Sequence, residues 1–158
     1  YVAWQQVFDP LLTAGARNYW KSHNLSTLED GLFGAVIEYA GKQPSPQCEI
    51  FIAAIGGATA RPAPDSAAYA HRDAAFVMNV HSRWENQEDD KRCIGWARDF
   101  FTASAPFASG GAYINFLTAD EGDRVRSGYG ANYDRLAQVK RRYDPDNLFR
   151  VNQNIAPA

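Results

Sequence analysis

The chain has 158 residues, the length of one ordinary domain, and 46% of them are hydrophobic, which is ample material for a buried core. Its formal net charge of -2 argues against a general nucleic-acid or membrane-surface binder, because such proteins usually present a basic field. No apolar run approaches the roughly 20 residues of a membrane-spanning helix, so we expect a soluble protein, either cytoplasmic or secreted.

The first 40 residues predict two helices with a strand between them. Apolar residues near helical spacing indicate a helix over residues 1–13, interrupted near Pro10. Aromatic residues without a helical period favour a strand over residues 16–25. Residues 26–29, Ser-Thr-Leu-Glu, form a capping box that would pair two otherwise unsatisfied backbone donors, which predicts a helix over residues 27–40.

The middle of the chain predicts two strands and a second strong helix. Residues 49–55 are a short apolar run between a Pro-rich and a Gly-Gly stretch, which is typical of a buried strand. Residues 74–84 alternate between the two faces of a strand. Asn86 can cap the helix that follows, and this helix ends before Pro106.

The last elements complete a mixed order of helices and strands. Residues 112–117 follow two glycines and predict a short strand, and residues 131–142 predict a third helix. This order favours an α+β fold, with helices packed on one face of an antiparallel sheet. The chain contains neither a Gly-x-Gly-x-x-Gly fingerprint nor a P-loop, so it shows no nucleotide-binding motif of its own.

Two pairs of polar residues are candidates for chemistry. On a strand, Tyr113 and Asn115 would point the same way, and a phenol beside an amide can both donate to and accept from a ligand. On local grounds an exposed edge pair is the simpler interpretation. Asn79 and His81 form a second pair in an otherwise apolar strand, where a satisfied structural role is the alternative.

Other polar and sulfur-containing residues have simpler structural interpretations. Lys21 is interpreted as a solvated or snorkelling lysine, and Arg72 as the ion-pair partner of Asp73. Cys48 and Cys93 lack Cys-x-x-Cys spacing and predict two free, partly buried thiols, although the sequence leaves a disulfide between them open. The three histidines show no metal-ligand spacing, so no metal site is predicted.

The closing stretch, residues 129–155, reads YGANYDRLAQVKRRYDPDNLFRVNQNI. It joins an aromatic-Gly-x-Asn turn, a helix-like run, a Tyr-Asp-Pro-x-Asn-x-Phe turn and a polar Gln-x-Ile-x-Pro end. This order closely resembles the C-terminal signature of the berberine-bridge-enzyme-like FAD-linked oxidases. Residues 55–84, with Gly-Gly-Ala, His-Arg and Trp, and residues 110–116, with Tyr-x-Asn, look like further parts of that family.

The resemblance implies that the chain is the C-terminal portion of a longer protein. In that family an N-terminal FAD-binding domain precedes a substrate domain, which is an antiparallel sheet backed by helices, and a C-terminal segment returns to the FAD domain. We therefore expect residues 1–127 to be the end of the substrate domain and residues 128–158 to be the returning segment. FAD would be held mainly by the missing domain or a partner chain, so neither cysteine is expected to be the flavin link.

The resemblance also assigns roles to five residues. Tyr113 matches a catalytic tyrosine that would help take the proton from a substrate hydroxyl while hydride passes to the flavin. Asn115 matches the paired residue close to the flavin, and Tyr129 and Asn132 match a turn that touches the cofactor. Asn79 falls where related sugar oxidases hold a substrate contact.

One departure from the family bears on the substrate. Some sugar-oxidising members place a carboxylate on the strand just before the Gly-Gly pair, where it supports the tyrosine. Here residues 51–55 read Phe-Ile-Ala-Ala-Ile, and Glu49 lies too far back to replace the carboxylate. This difference disfavours a carbohydrate oxidase.

The resemblance therefore predicts part of an FAD-dependent oxidoreductase that acts on an alcohol, sugar or secondary metabolite, with dioxygen as its acceptor. The chain alone would be inactive. A flavin-dependent dehydrogenase that excludes oxygen is a closely related alternative. A non-catalytic binding or scaffolding module derived from such an oxidase is the alternative from a different class.

Overall fold

A computed structural model describes residues 1–7, 9, 12 and 14–158. Its centre is a three-stranded antiparallel sheet with the order β1-β3-β2. The helices and strands are α1 (Val2–Gln5), β1 (Arg17–Leu25), α2 (Asp30–Ala40), β2 (Glu49–Ala54), β3 (Phe76–Trp84), α3 (Asp90–Ser104), α4 (Val125–Tyr129) and α5 (Tyr133–Tyr143). This arrangement confirms the predicted α+β class.

The central strand β3 decides what each face of the sheet carries, because it pairs with both neighbours. On one face Met78 and Val80 are about 1% exposed and join the core formed with α2 and α3. On the opposite face Asn79 lies between Ser22 of β1 and Phe51 of β2. The helices therefore pack on the apolar face of the sheet, and the opposite face carries polar and aromatic side chains.

The core between the sheet and the helices is built mainly from α3. Cys93, Ala97 and Phe100 have no exposed surface and lie at helical spacing along it. The indole nitrogen of Trp96 donates to the Tyr39 carbonyl at 3.0 Å, which ties α3 to the end of α2. A fully buried phenylalanine contributes about 2–3 kcal/mol, so Phe100 is a main stabilising contact.

The capping box predicted over residues 26–29 does not form. Helix α2 begins at Asp30, and Glu29 is its N-cap, with extended backbone angles of -101° and 150° and no side-chain cap hydrogen bond. A box needs its glutamate inside the first turn, but the chain enters the helix only after Glu29. A box does form later, where Thr118 and Glu121 cap the 3₁₀ helix Ala119–Arg124 reciprocally.

The two later helices agree with prediction more closely. Helix α3 starts at Asp90 after a 3₁₀ turn at Gln87–Asp89, and the Asn86 side chain makes no cap hydrogen bond. Helix α5 covers nearly all of the range predicted for it. Within the range 1–13 predicted as a helix, α1 covers Val2–Gln5, and the interruption near Pro10 lies outside the described residues.

The strand predicted over residues 112–117 is wrong. This segment pairs with no strand of the sheet and contains a 3₁₀ turn at Ile114–Phe116. It follows Gly110 and Gly111, whose φ angles are +88° and +69°, a left-handed geometry unsuited to a strand. Its buried residues Ala112 and Leu117 join Val125 in a second small core, at a spacing that does not alternate.

Candidate functional site

A cavity of about 650 Å³ lies over the face of the sheet that the helices leave uncovered. It is bounded by the ends of β2 and β3, by the loop between them, by the segment around Tyr113 and by the end of α4. Five aromatic side chains line it: Phe51, Tyr69, Tyr113, Phe116 and Tyr129. No acidic residue lines it among the part of the chain that the structure describes.

Tyr113 and Asn115 meet in this cavity as predicted, although they do not lie on a strand. The amide nitrogen of Asn115 donates to the phenol oxygen of Tyr113 at 3.3 Å. The Tyr113 ring packs edge-on against Phe116, with centroids 5.0 Å apart. The 3₁₀ turn brings residues 113 and 115 together in place of strand alternation, and the catalytic and cofactor-binding roles assigned to them stay predictions.

Tyr129 lines the same cavity from the C-terminus of α4. Burial raises the pKa of its phenol, which is therefore neutral at pH 7. Gly130 follows it with a φ of +56° and ends the helix. The structure thus brings Tyr129 together with Tyr113 and Asn115, and its predicted contact with a cofactor stays a prediction.

Asn132 lies beside the cavity and not in its wall. Its amide nitrogen donates to the carbonyls of Pro64 at 2.7 Å and Ala67 at 2.9 Å, both in the loop between β2 and β3. The residue borders a separate hollow of about 150 Å³. Its N–H groups are therefore committed to the loop, and the predicted cofactor contact would have to use its carbonyl oxygen.

Asn79 is placed on the correct face of the sheet but is covered. It is 2% exposed, does not line the cavity, and its amide nitrogen has no hydrogen-bond partner among the described residues. Phe51, its neighbour on β2, is the residue that reaches the cavity from this part of the sheet. The predicted substrate contact of Asn79 stays a prediction.

Tyr69 and Arg72 are cavity residues that the sequence interpretation did not single out as a site. The Tyr69 ring packs edge-on against Tyr113, with centroids 6.1 Å apart, and the Arg72 guanidinium lies 5.1 Å from the Tyr69 ring. Burial is the main cause that raises the pKa of Tyr69. The one available signal was the His-Arg pair of residues 71–72, which lies just after this tyrosine.

The predicted ion pair between Arg72 and Asp73 is wrong. Arg72 instead donates to the Thr59 carbonyl at 2.9 Å, across the same loop. Residues 72 and 73 lie in a turn, and the Arg72 guanidinium is held by the Thr59 carbonyl and by the face of the Tyr69 ring. Arg72 thus braces the loop and forms part of the cavity wall.

The prediction that Lys21 is solvated or snorkels to water is also wrong. Its side chain is 9% exposed and its ammonium lies 3.2 Å from Glu121 and 3.6 Å from Asp120. Arg124 pairs with Glu121 as well and donates to the Ser22 carbonyl at 3.3 Å. This charged cluster fixes the segment after Tyr113 to the first strand.

Both carboxylates of the cluster are stabilised in their charged form. Burial alone would raise the pKa of Glu121, but the Thr118 backbone N–H and the Arg124 guanidinium outweigh it and hold the pKa below its usual value. At Asp120 burial is likewise overcome, here by hydrogen bonds from Thr118, Arg98 and Tyr19, and the pKa is well below its usual range.

The two cysteines are free and buried, and no disulfide joins them. Burial is the main cause that raises the pKa of Cys93 to about 11, and the neighbouring Cys48 adds to it. In the described ranges no group of His, Cys, Asp and Glu side chains could hold a metal ion, and no helix is long and apolar enough to cross a membrane.

Comparison with protein families and curated proteins relates this geometry to one group of enzymes. Residues 112–156 match the family model "Berberine and berberine like". An FAD-linked oxidoreductase of Bacillus subtilis, YgaK, is 28% identical over 130 residues, which is 82% of this chain and 29% of the relative. Berberine bridge enzyme-like C-1 of Nicotiana tabacum is 30% identical over 162 residues, 81% of this chain and 28% of the relative. The chain thus spans less than a third of these relatives.

Solved structures show the same relation. The glycopeptide hexose oxidase DBV29, solved with teicoplanin, has a TM-score of 0.78 at 26% identity, over 90% of this chain and 33% of that one. GilR, an oxidoreductase of gilvocarcin biosynthesis, has a TM-score of 0.70 at 30% identity, over 84% and 31%. Chitooligosaccharide oxidase has a TM-score of 0.70 at 27% identity, over 90% and 33%.

Proposed function

Because the chain is related to the berberine-bridge-enzyme-like FAD-linked oxidoreductases over their C-terminal part, we propose that it forms the substrate side of such an enzyme. The complete protein oxidises an alcohol group of a sugar or secondary metabolite and passes the electrons to FAD. Dioxygen is the final acceptor. The solved structures that the chain resembles include a glycopeptide hexose oxidase and a chitooligosaccharide oxidase, which supports the proposal of an oxidase.

The observation that carries the proposal is the Tyr113–Asn115 pair in the cavity wall. It falls inside the segment that matches the family, and it puts a phenol oxygen and an amide N–H 3.3 Å apart beside an aromatic cavity. A general base must lie within hydrogen-bond reach of the proton that it takes. Tyr69, Tyr113 and Tyr129 all bring a phenol to the cavity, and we assign the role of base to Tyr113 because its phenol oxygen is oriented by the Asn115 amide.

The cavity residues suit the ring system of a flavin and not its phosphates. Aromatic walls and the Asn115 amide match a flat ring with a hydrogen-bonding edge, and Tyr129 adds a neutral phenol. The lining cation Arg72 already donates to a backbone carbonyl, and the chain carries no glycine-rich phosphate loop. Asn115 and Tyr129 would therefore hold part of the ring. When bound, FAD supplies the acceptor for the electron pair that leaves the substrate carbon.

Each side chain then has one task. In its deprotonated form Tyr113 accepts the proton of the substrate hydroxyl at its phenolate oxygen and becomes the neutral phenol, and the Asn115 N–H keeps that oxygen oriented. Phe116 and Tyr69 pack edge-on against the Tyr113 ring and prevent it from turning. The same aromatic walls exclude water and bind the apolar part of the substrate.

The C-terminal segment presents a surface that a further domain would cover. From the middle of α5 onward, five large apolar residues are each between 46% and 83% exposed: Val139, Tyr143, Leu148, Phe149 and Val151. Such a cluster on one segment is typical of an interface. We assign it to the FAD-binding domain of the complete protein or to a partner chain that carries that domain.

The experiment is purification of the natural polypeptide that contains this chain, followed by N-terminal sequencing, intact mass and a visible spectrum. We expect a preceding domain, or a co-purifying chain, and the absorption bands of bound flavin. A folded, monodisperse and colourless protein that binds its own ligand would refute the proposal and favour a non-catalytic binding module.

A further inference from the structure

Asn132 contacts the loop between β2 and β3 and does not itself line the cavity. Its amide nitrogen donates to two carbonyls of that loop, Pro64 at 2.7 Å and Ala67 at 2.9 Å. The residue is 7% exposed, so these hydrogen bonds are shielded from water. A buried amide that donates twice fixes both the position and the direction of the loop backbone.

Two neighbouring contacts hold the same loop from the same side. Arg135, one turn further along α5, donates to the Asp65 carbonyl at 3.0 Å. His71 Nε2, at the end of the loop, donates to the Ser127 carbonyl at 2.9 Å. The loop is thus attached at both ends to residues 127–135.

Glycines make this attachment close. A side chain at Gly111 would place its Cβ 2.3 Å from the His71 ring, and a Cβ at Gly130 would lie 3.3 Å from Ala70. Both glycines have positive φ angles, of +69° and +56°. The loop therefore lies between two backbone segments that approach it as closely as sterics allow.

The other side of the loop is cavity wall. Ala68, Tyr69 and Arg72 all line the cavity, and the Tyr69 ring touches the ring of Tyr113 edge-on at 6.1 Å. Any shift of the loop would move these three side chains. It would also remove one of the two rings that pack against Tyr113.

We propose that Asn132 is a positioning residue for substrate recognition: its amide holds the loop of residues 63–72, and that loop presents Tyr69 and Arg72 to the aromatic or apolar part of the substrate. The recognition half of this proposal rests on the proposed function, and the loop half does not. It also separates Asn132 from the cofactor contact that the sequence predicted for it.

The variant Asn132→Asp tests the proposal with almost no change in volume. A carboxylate has no N–H to donate, and it would face two carbonyl oxygens with negative charge. A carboxylate in direct contact with the flavin would also shift the flavin absorption spectrum, which separates the loop role from a cofactor contact through the Asn132 oxygen. Asp134→Asn is the matched control, because it makes the reverse exchange two residues away, where Asp134 contacts Arg126.

Hydrogen–deuterium exchange on the complete protein measures the loop directly. The amides of Ser66 and Arg72 are hydrogen-bonded within the loop, to Ala63 and Ala70, and report its opening. Loss of one buried hydrogen bond raises the population of the opened loop about tenfold. These two amides should therefore exchange at least about tenfold faster in Asn132→Asp. Arg135→Met should give a smaller increase if Asn132→Asp fails to fold, and Asp134→Asn should give none.

Steady-state kinetics and the flavin spectrum test recognition. Asn132→Asp should raise KM for the oxidised alcohol about tenfold, with a much smaller change in kcat and an unchanged flavin absorption spectrum. Tyr69→Leu should raise KM in the same way. Any of three results for Asn132→Asp would overturn the proposal: unchanged hydrogen exchange in the loop, faster exchange with an unchanged KM, or a shifted flavin spectrum. If the protein carries no flavin, the proposed function fails, and the exchange comparison still decides whether Asn132 holds the loop.

Discussion

Replacement of Glu121 by glutamine probes the charged cluster that fixes the segment after Tyr113. The Glu121 side chain is 2% exposed, and its carboxylate pairs with Arg124 and with Lys21 at 3.2 Å. Its second oxygen accepts hydrogen bonds at 3.0 Å from both the backbone N–H and the hydroxyl of Thr118. Glutamine keeps the size and one acceptor, but its NH₂ group must face either the two cations or the two Thr118 donors.

The loss of stability in Glu121→Gln comes from the buried cations that lose a partner. Lys21 keeps 9% of its side chain exposed, so its ammonium would lose its main partner without gaining water. Breaking a buried ion pair from one side costs about 3–5 kcal/mol. We expect Glu121→Gln to lower the free energy of unfolding by about this amount. Glu121→Ala should cost about 1 kcal/mol more, because it also removes the cap of the 3₁₀ helix.

Urea denaturation of the complete protein, followed by tryptophan fluorescence, measures both variants. Glu88→Gln is the control, because Glu88 is exposed, and it should change stability by less than about 0.5 kcal/mol. The double variant Lys21→Met/Glu121→Gln should recover part of the loss, since the uncompensated ammonium is gone. A loss below about 1 kcal/mol for Glu121→Gln would refute this account of the cluster.

Three further results are expected. The pKa values of Asp120 and Glu121 lie below those of the unfolded chain, so the stability that these carboxylates contribute is present at neutral pH and is lost below about pH 5. The urea midpoint should therefore fall from pH 7 to pH 3, and Asp120→Asn should make this pH dependence weaker. Cys93, with its pKa raised to about 11, should resist iodoacetamide at pH 8 until the protein is unfolded. Asp144→Ala removes the acceptor of the Leu148 and Phe149 amides, whose hydrogen exchange should then accelerate; unchanged rates would contradict the hydrogen bonds seen here.

The elements predicted correctly are those whose residue types follow a local period. Helix α3 has its apolar residues at helical spacing, and β3 has Met78 and Val80 on the face that packs on the helices with Asn79 on the other, so neighbouring residues alone identify them. The strand predicted over residues 112–117 is wrong because the segment turns at Ile114–Phe116, with Ala112 and Leu117 in a separate small core and its aromatic residues in the cavity wall. That core depends on Val125 and α4, which local spacing does not reveal.

The candidate site likewise contains residues that local sequence predicts and residues that it does not. Tyr113 and Asn115 are close in sequence, so a two-residue pattern was enough to predict that they meet. Tyr69 reaches the cavity only because its loop is held by residues more than 50 positions later in the chain. Lys21 was misread for the same reason, since its partner Glu121 lies 100 residues away.

The most direct test of the account is anaerobic reduction of the flavin in a single turnover, with Tyr113→Phe compared with the unaltered protein. The substitution removes only the phenol oxygen that we assign as proton acceptor and keeps the ring contacts with Phe116 and Tyr69. Loss of a general base lowers the rate about 10²–10⁴-fold, and we predict a decrease in this range with an unchanged flavin spectrum. Equal reduction rates for the two proteins would contradict the central claim.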